Sequence, residues 1–198
     1  AHALGLGVST GIELVETTGN MSNAANHMDY AGSEWRIGDT LQAAIGQSDS
    51  VFTPLQLAEY CAAVANNGER HSASILKSIR NYDYSEKVYE RQDEVLSTVE
   101  SPQYNWDAIH EGMKEVINSP LNETNYLNFY DCAVTVAGKT GTAQKGEGIK
   151  NDGLFICYAP YEDPEIAVAV VVERGHAGAS VGFIARQIVD VYLNIRSY

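Results

Sequence analysis

Apolar positions along the chain change their spacing, and each change predicts a different kind of secondary structure. Residues 1–50 carry scattered apolar side chains among many Gly and Ser residues, which is typical of loops, turns and short elements. Apolar side chains then recur at helical spacing in residues 54–66 and in residues 106–117. From residue 132 onward the apolar runs are short and rich in β-branched residues. The pattern therefore predicts a helical lobe followed by a sheet.

The first long helix has clear start and stop signals. Thr53 is a predicted N-cap, Pro54 fits the first helical position, and Gln56 completes a capping box. Asn67-Gly68 follows the last apolar turn and predicts the end of the helix. We therefore expect a well-bounded helix over 54–66.

Two further segments are predicted to be amphipathic helices, one in the helical lobe with 54–66 and one that lies against the sheet. The first covers 106–117, and the second covers 180–196 near the end of the chain. Each shows one apolar stripe at helical spacing, which identifies the face that we expect to be buried. The predicted inner faces are Ile109, Met113, Val116 and Ile117 in the first helix, and Val181, Ile184, Ile188, Val191 and Ile195 in the second.

Three consecutive runs near the C-terminus predict an antiparallel sheet. Strands are expected at 134–142, 153–160 and 165–173, adjacent in that order and separated by polar turns. The third run is apolar on both faces, which favours either a central strand or a strand covered by helices. We therefore predict an α/β fold of the α+β type, an antiparallel sheet flanked by helices. Farther upstream, residues 72–79 predict a short strand, and the charged residues 82–99 predict an exposed hairpin.

Composition and charge exclude some partners. The 198 residues are 44% hydrophobic and carry a formal net charge of −13. Such an acidic chain disfavours nucleic acid or an anionic membrane surface as partner. No apolar run is long enough to cross a bilayer, and the first residues do not resemble a signal peptide. We expect the chain to begin within a domain.

Cysteine and histidine spacing points to neither disulfides nor a metal centre. Cys61, Cys132 and Cys157 are far apart and odd in number, and we interpret them as buried thiols, with disulfides the weaker alternative. The five His residues show no HExxH or other ligand spacing. His176 lies in a turn and is interpreted as a solvated histidine. We expect no metal and no cofactor.

The stretch Ala137 to Gln144, "AGKTGTAQ", carries the most specific chemistry in the chain. Lys139 supplies a cation, and the hydroxyls of Thr140 and Thr142 can donate hydrogen bonds to a carboxylate. Gly141 allows a substrate backbone to come close to the strand, and the Thr142 N–H could face a developing oxyanion. A protective lysine on an edge strand is the alternative interpretation, and it is about equally compatible with the motif alone.

Four ordered blocks separate these interpretations. They are "GLGVSTGIELVETTG", "GDTLQAAIGQSDSVFTPLQLAEYCAAVANNG", "AGKTGTAQ" and "FICYAPYEDPEIAVAVVVE". In this order and spacing they resemble the C-terminal portion of a class B penicillin-binding protein, a D,D-transpeptidase of the penicillin-binding and serine β-lactamase superfamily. The resemblance covers nearly all of residues 1–198 and implies an incomplete transpeptidase fold.

The family has three active-site motifs, Ser-x-x-Lys, Ser-x-Asn and Lys-Thr-Gly. The resemblance assigns Lys139, Thr140 and Gly141 to the third motif and gives Thr142 one oxyanion-hole N–H. Ser74 and Lys77 form the one Ser-x-x-Lys in the chain, but they follow the helix that the family's motif precedes. On a strand their side chains would also face opposite sides. We therefore expect the nucleophilic serine to lie outside this chain, and the chain alone to be inactive.

The resemblance implies a protein that cross-links peptidoglycan stem peptides ending in D-Ala-D-Ala through a serine acyl-enzyme and that binds β-lactams. It also implies a membrane-anchored full-length protein at the outer face of the bacterial cytoplasmic membrane. A penicillin-sensing receptor domain, a serine β-lactamase and a non-catalytic binding module are the alternatives. Because part of the domain would be absent, we expect the fragment to expose apolar surface. It should then bind a second copy, swap elements with one, or be only marginally stable.

Overall fold

The computed structural model describes residues 1–193, and its elements follow the predicted order. The helices are α1 (His27–Ala31), α2 (Ile37–Ala44), α3 (Pro54–Ala65), α4 (Gln103–Asn118), α5 (Glu123–Phe129) and α6 (Gly182–Tyr192), with 3-10 turns at His2–Leu4 and Gly178–Val181. The strands are β1 (Glu69–His71), β2 (Ser78–Arg80), β3 (Lys87–Glu90), β4 (Val95–Thr98), β5 (Ala137–Ala143), β6 (Asp152–Ala159) and β7 (Ile166–Val172). No helix within residues 1–193 is both long enough and apolar enough to cross a membrane.

The start of α3 joins the helix to the N-terminal segment. The Thr53 hydroxyl accepts a hydrogen bond from the Gln56 N–H at 3.2 Å, and the Gln56 side chain accepts one from the Thr53 N–H at 3.0 Å. This confirms the predicted capping box. The Gln56 amide is fully buried and donates to the carbonyls of Val8 and Thr18 at 2.7 and 2.8 Å. The Gln56 side chain therefore caps the start of α3 and also holds the N-terminal segment at Val8 and Thr18.

A buried charge pair lies behind the same helix. Glu59 and Arg70 are both buried, and 3.8 Å separates Arg70 Nε from Glu59 Oε1. Arg70 also donates to the Ser9 carbonyl at 2.9 Å, whereas neither carboxylate oxygen of Glu59 has a hydrogen-bond partner. Burial raises the pKa of Glu59 to about 7, Glu16 adds to the rise, and Arg70 opposes it. The free-energy cost of burying the ionised Glu59 carboxylate is therefore larger than the gain from its charge interaction with Arg70.

Glu59→Gln is expected to increase the stability of the protein at pH 8 and to change it little below pH 4.5. The folded state holds the Glu59 proton up to about pH 7, above the ordinary value of 4.5. The protonated Glu59 makes its full contribution to the free energy of unfolding below pH 4.5. This contribution is lost as pH rises through 7, and the loss amounts to roughly 3 kcal/mol at most. Urea unfolding at both pH values measures the difference. The exposed Glu162→Gln is the control; an equal gain from both variants would contradict the assignment.

The C-terminal sheet has the predicted order. β5 pairs with β6 and β6 with β7, both antiparallel, and Lys139 lies opposite Ile156. Among the described residues β7 is an outer strand, and both α3 and α6 pack on it. Of the two alternatives for this doubly apolar run, the helix-covered strand is therefore the observed one.

Two apolar cores form on the two faces of this sheet because side chains alternate along each strand. On one face Phe155 stacks on Phe129 of α5, with ring centroids 5.7 Å apart. On the other face Tyr158 packs with Cys61 of α3. All three cysteines are free thiols, as expected, and burial raises the pKa of Cys61 to about 12. The core on the Phe129 and Phe155 face consists of these buried residues: Ile117, Phe129, Val136, Phe155, Cys157, Ala159, Val168, Val170, Val181, Ala185 and Val189.

The predicted inner faces of two helices need correction. In α4, Ile117 is buried as expected, but Ile109 is 43% exposed and Trp106 is buried instead. His110 occupies the position over the sheet, where its Nδ1 lies 2.6 Å from the Tyr158 hydroxyl. The hydrogen bond to the buried Tyr158 lets His110 lie against the sheet. A search for apolar residues at helical spacing does not find such a polar residue.

In α6 the buried face is rotated from the predicted stripe. Ala185 and Val189 are buried, whereas Ile188 and Val191 are about half exposed. The physical reason is a buried ion pair, since Arg186 Nε lies 2.7 Å from Asp190 Oδ1 and both residues face inward. Ile195 and the end of the predicted helix 180–196 lie outside the described residues.

The segment 72–79 is mostly not a strand. Only Ser78–Arg80 pairs, and it forms a hairpin with β3 in the predicted exposed region. Upstream of it, the Glu13 carboxylate binds the Ser74 hydroxyl and accepts from the Ile75 N–H at 3.1 Å. The Leu76 N–H donates back to Ser74 Oγ at 3.1 Å. The bonds from distant Glu13 and the local bond of Ser74 with Leu76 take the place of a strand ladder here.

Candidate functional site

Lys139, Thr140, Gly141 and Thr142 all lie in β5, as predicted. The strand forms because the preceding Val136 and Ala137 are buried, while the following turn is polar and glycine-rich. Within the described residues β5 pairs only with β6, so its second edge is free. The motif is therefore carried on an edge strand whose other side is anchored in the core.

The carbonyl contacts identify which residues face the free edge. The carbonyl of Thr140 accepts a hydrogen bond from Lys139 Nζ at 2.8 Å, and that of Thr142 accepts one from Gln47 Nε2 at 2.9 Å. In an antiparallel strand the N–H and C=O of one residue point to the same side, and this side alternates along the chain. The N–H groups of Thr140 and Thr142 therefore also point away from β6, toward any chain that pairs with this edge.

The side chains of the motif place charge and hydroxyls around that edge. Lys139 is exposed, and its bond to the Thr140 carbonyl holds the ammonium beside the strand. Thr140 and Thr142 project from the opposite face of β5 to Lys139, because side chains alternate. A cation, two hydroxyl donors and two backbone N–H groups thus converge on one stretch of strand. This set suits an extended ligand that carries a negative charge.

The 3-10 turn that begins at Gly178 packs directly on the backbone of the motif. Gly178, in the 3-10 turn before α6, lies so close to β5 that a Cβ at this position would be 2.5 Å from the Gly141 carbonyl oxygen. The same Cβ would be 2.2 Å from the Leu154 carbonyl oxygen on β6. No side chain fits at position 178, so the backbone of Gly178 contacts the backbone of Gly141 directly.

The turn after β5 carries further cations. Lys145 Nζ lies 2.7 Å from Asp152 Oδ2, and the Arg174 N–H donates to Asp152 Oδ1 at 2.9 Å. Lys145, followed by the Arg174 N–H, lowers the pKa of Asp152. This arrangement ties the β5–β6 turn to the end of β7.

Ser74 lies apart from this site and is already engaged. Its hydroxyl donates to the Glu13 carboxylate. This bond is the largest of the causes that lower the pKa of Glu13 to about 2. Lys77 lies on the same irregular segment, not one helical turn away on a helix. The arrangement lacks the lysine–serine geometry that an activated nucleophile needs.

The described residues bring no metal ligands together. Within residues 1–193 no group of three or more His, Cys, Asp or Glu side chains is arranged to hold a metal ion. His176 is exposed in a turn with φ of 68°, and its N–H donates to the Asn151 carbonyl at 3.0 Å. This position agrees with a solvated turn histidine.

Two residues at the site were not identified from the sequence. Gln47 reaches the Thr142 carbonyl across ninety-five positions of chain, which no local pattern indicates. Gly178 sits in "GHAGAS", where a glycine between alanines resembles an ordinary turn residue. The block "IGQS" that contains Gln47 was part of the family resemblance, and this was the only available signal for it.

Comparisons with known proteins identify the family of the chain. The family model of the penicillin binding protein transpeptidase domain matches residues 1–190. The chain is 33% identical to the peptidoglycan D,D-transpeptidase MrdA of Haemophilus influenzae over 211 residues, covering 97% of this chain and 32% of that protein. It therefore spans about a third of the length of this curated relative.

Solved structures share the fold. PBP2 of Pseudomonas aeruginosa, in complex with WCK 5153, superposes with a TM-score of 0.81 at 28% identity and covers 97% of this chain and 42% of that one. The imipenem acyl-enzyme complex of penicillin-binding protein A from M. tuberculosis gives a TM-score of 0.75 at 26% identity, covering 98% and 40% of the two chains.

Proposed function

Because the chain belongs to the penicillin-binding protein transpeptidase domain family, we propose that it supplies the substrate-binding strand of a peptidoglycan D,D-transpeptidase. The observation that carries the proposal is the free edge of β5, where Lys139 and the outward N–H groups of Thr140 and Thr142 meet. The proposed substrate is an extended stem peptide ending in D-Ala-D-Ala. The proposed inhibitors are β-lactams that imitate this terminus.

The proposed reaction is acyl transfer through a serine that lies outside the 198 residues. Its oxygen attacks the carbonyl carbon of the penultimate D-Ala, the C–N bond breaks, and the terminal D-Ala leaves with a proton. An amine from a second stem peptide then attacks the acyl carbon. A new amide bond forms, the ester C–O bond breaks, and the proton lost by the amine returns to the serine oxygen. The named relative from M. tuberculosis forms an acyl-enzyme with imipenem, which supports a covalent intermediate of this kind.

Each residue of the motif has a proposed part in this reaction. The Lys139 ammonium and the hydroxyls of Thr140 and Thr142 bind the terminal carboxylate. Gly141 leaves room for the substrate backbone beside the strand. The Thr142 N–H, which faces the free edge, donates to the oxyanion that develops on the attacked carbonyl. The attacking serine's own N–H would be the second donor.

Covalent labelling of the full-length protein by a fluorescent penicillin tests this function. A labelled band that is lost after pre-incubation with unlabelled penicillin is expected. Absence of labelling at saturating penicillin would instead favour a non-catalytic binding module. Rapid turnover and release of hydrolysed penicillin would favour a β-lactamase.

We also propose where the rest of the domain packs. Ile37, Leu41 and Ile45 follow one another at helical spacing on α2 and its C-cap, and they are 84%, 67% and 73% exposed. Such a stripe on a helix usually packs against another element. In the full-length protein its proposed cover is the part of the transpeptidase domain that precedes residue 1 in the relatives. In the isolated chain its proposed cover is a second copy.

The isolated chain is therefore expected to self-associate at micromolar concentrations, and Leu41→Glu is expected to weaken this association. A charge at the centre of an apolar contact opposes burial. Sedimentation velocity over a concentration series measures the effect. Leu121→Glu is the matched control, because Leu121 is 95% exposed and lies in the loop between α4 and α5. A monomeric wild type, or equal weakening by both variants, would contradict the proposed cover.

The proposed location follows from the proposed function. Peptidoglycan is assembled outside the cytoplasmic membrane of bacteria, so the full-length protein would act at the outer face of that membrane. The full-length protein is proposed to be anchored in that membrane. Fractionation of cells with an antibody to this chain tests the location, and a purely cytoplasmic signal would contradict it.

A further inference from the structure

A side chain of the loop between α2 and α3 binds the substrate-binding strand. Gln47 Nε2 donates to the Thr142 carbonyl at 2.9 Å. This carbonyl belongs to the residue whose N–H is the proposed oxyanion donor. Gln47 therefore acts directly on the backbone of the residue on which the proposed chemistry depends.

The loop is held by buried polar groups on its far side. Asp49 binds Nδ1 of His27, which is buried and meets the ring of Trp35 edge-on with centroids 5.2 Å apart. The Asp49 carbonyl accepts from the Asn20 amide at 2.8 Å. The N–H and C=O of Asn20 also pair with Val51 at 2.7 and 2.8 Å. The loop is therefore fixed to the N-terminal segment by Asp49 and Val51, on the C-terminal side of Gln47.

A fixed donor on the Thr142 carbonyl restricts the rotation of that residue. β5 has no strand partner on this edge within the described residues, so the Thr142 C=O has no ladder bond to orient it. The N–H of Thr142 points to the same side as its carbonyl only while the residue stays extended. Preorganised donors contribute most when they need no reorientation during the reaction.

We propose that Gln47 is a positioning residue, which holds Thr142 extended so that its N–H stays directed at the oxyanion position. This inference rests on the proposed transpeptidase function. The loop from residue 46 to residue 51, anchored through Asp49 on His27, acts as a brace for the free end of the motif. The brace acts through Thr142 and does not touch the substrate.

The test measures acylation of the full-length protein by a fluorescent penicillin, with binding and acylation steps separated by rapid kinetics. Gln47→Ala is expected to lower the acylation rate constant roughly threefold to tenfold, the value of one lost hydrogen bond, with little change in affinity. Gln42→Ala, on the exposed face of α2, is the control and should acylate like the wild type.

A nearly isosteric variant separates positioning from space filling. Gln47→Glu places a carboxylate against the Thr142 carbonyl at pH 7.5 and should acylate more slowly than Gln47→Ala. Below about pH 4.5 the protonated side chain can donate again, so its rate relative to the wild type at the same pH should recover. All other residues are common to both proteins, so the ratio isolates the change at position 47.

The outcomes are distinct. Wild type that labels, with Gln47→Ala as fast as wild type or faster, would overturn the positioning role and leave the transpeptidase function standing. A Gln47→Glu deficit that does not recover at low pH would also overturn it. Failure of the wild type to label would overturn the proposed function itself. Thermal melting of each variant shows whether a slow rate reflects misfolding, and the pH recovery of Gln47→Glu cannot come from a misfolded protein.

Discussion

Lys139→Ala in the full-length protein is expected to slow acylation by a β-lactam on the order of a hundredfold or more. The lysine provides the exposed cation at the free edge of β5, and its bond to the Thr140 carbonyl holds it beside the strand. Alanine removes the charge that would bind the carboxylate and leaves the pairing with β6 intact. The measurement is the second-order acylation rate constant, with circular dichroism to confirm the fold.

Lys77→Ala and Ser74→Ala are the matched controls for this variant. They remove the only Ser-x-x-Lys pair in the sequence, which the structure places on an irregular segment away from β5. Both are expected to acylate at the wild-type rate. A large loss in either, together with normal activity of Lys139→Ala, would show that the site has been assigned to the wrong lysine.

The isolated 198-residue chain is expected to form no covalent adduct with a β-lactam. Acyl transfer needs an activated nucleophile, and the strand of Lys139 to Thr142 provides binding groups only. Ser74 is bound to Glu13, whose pKa of about 2 makes this carboxylate a very weak base. Activation of Ser74 by its nearest acceptor is therefore unfavourable at neutral pH.

Intact-mass spectrometry after overnight incubation decides this point. The unmodified mass is expected for the isolated chain, and the mass of one added β-lactam is expected for the full-length protein under the same conditions. An adduct on Ser74, or on any other serine of the isolated chain, would overturn both the site assignment and the position of the nucleophile outside the chain.

Local signals in the sequence were sufficient for the elements that carry the site. The capping box of Thr53 and Gln56 gave the start of α3 because both hydrogen bonds form within one turn. The period of two residues gave β5, β6 and β7, and hence Lys139 on a strand at the edge of a sheet. These features depend on residues that are close in sequence.

What the sequence did not reveal depends on distant partners. The inner face of α6 carries Arg186, which pairs with Asp190 and also with Asp131, fifty-five positions away. Charged residues look like surface residues until their partners are known to be close in the fold. The irregular path at Ser74 depends on Glu13, sixty-one positions away. The contact of Gln47 with β5 likewise appears only when the fold has brought the two segments together.

The free edge of β5 has a consequence for the tolerance of the proposed recognition. A strand edge offers a ligand only N–H and C=O groups at fixed intervals, and these groups do not distinguish one side chain from another. Cell-wall peptides that differ in their middle residues therefore offer the same backbone groups to Thr140 and Thr142, provided that they are extended and end in a carboxylate. Discrimination among such peptides must then come from surfaces around the strand that exclude the wrong side chains. Mutations that alter peptide preference are thus expected outside the Lys-Thr-Gly motif.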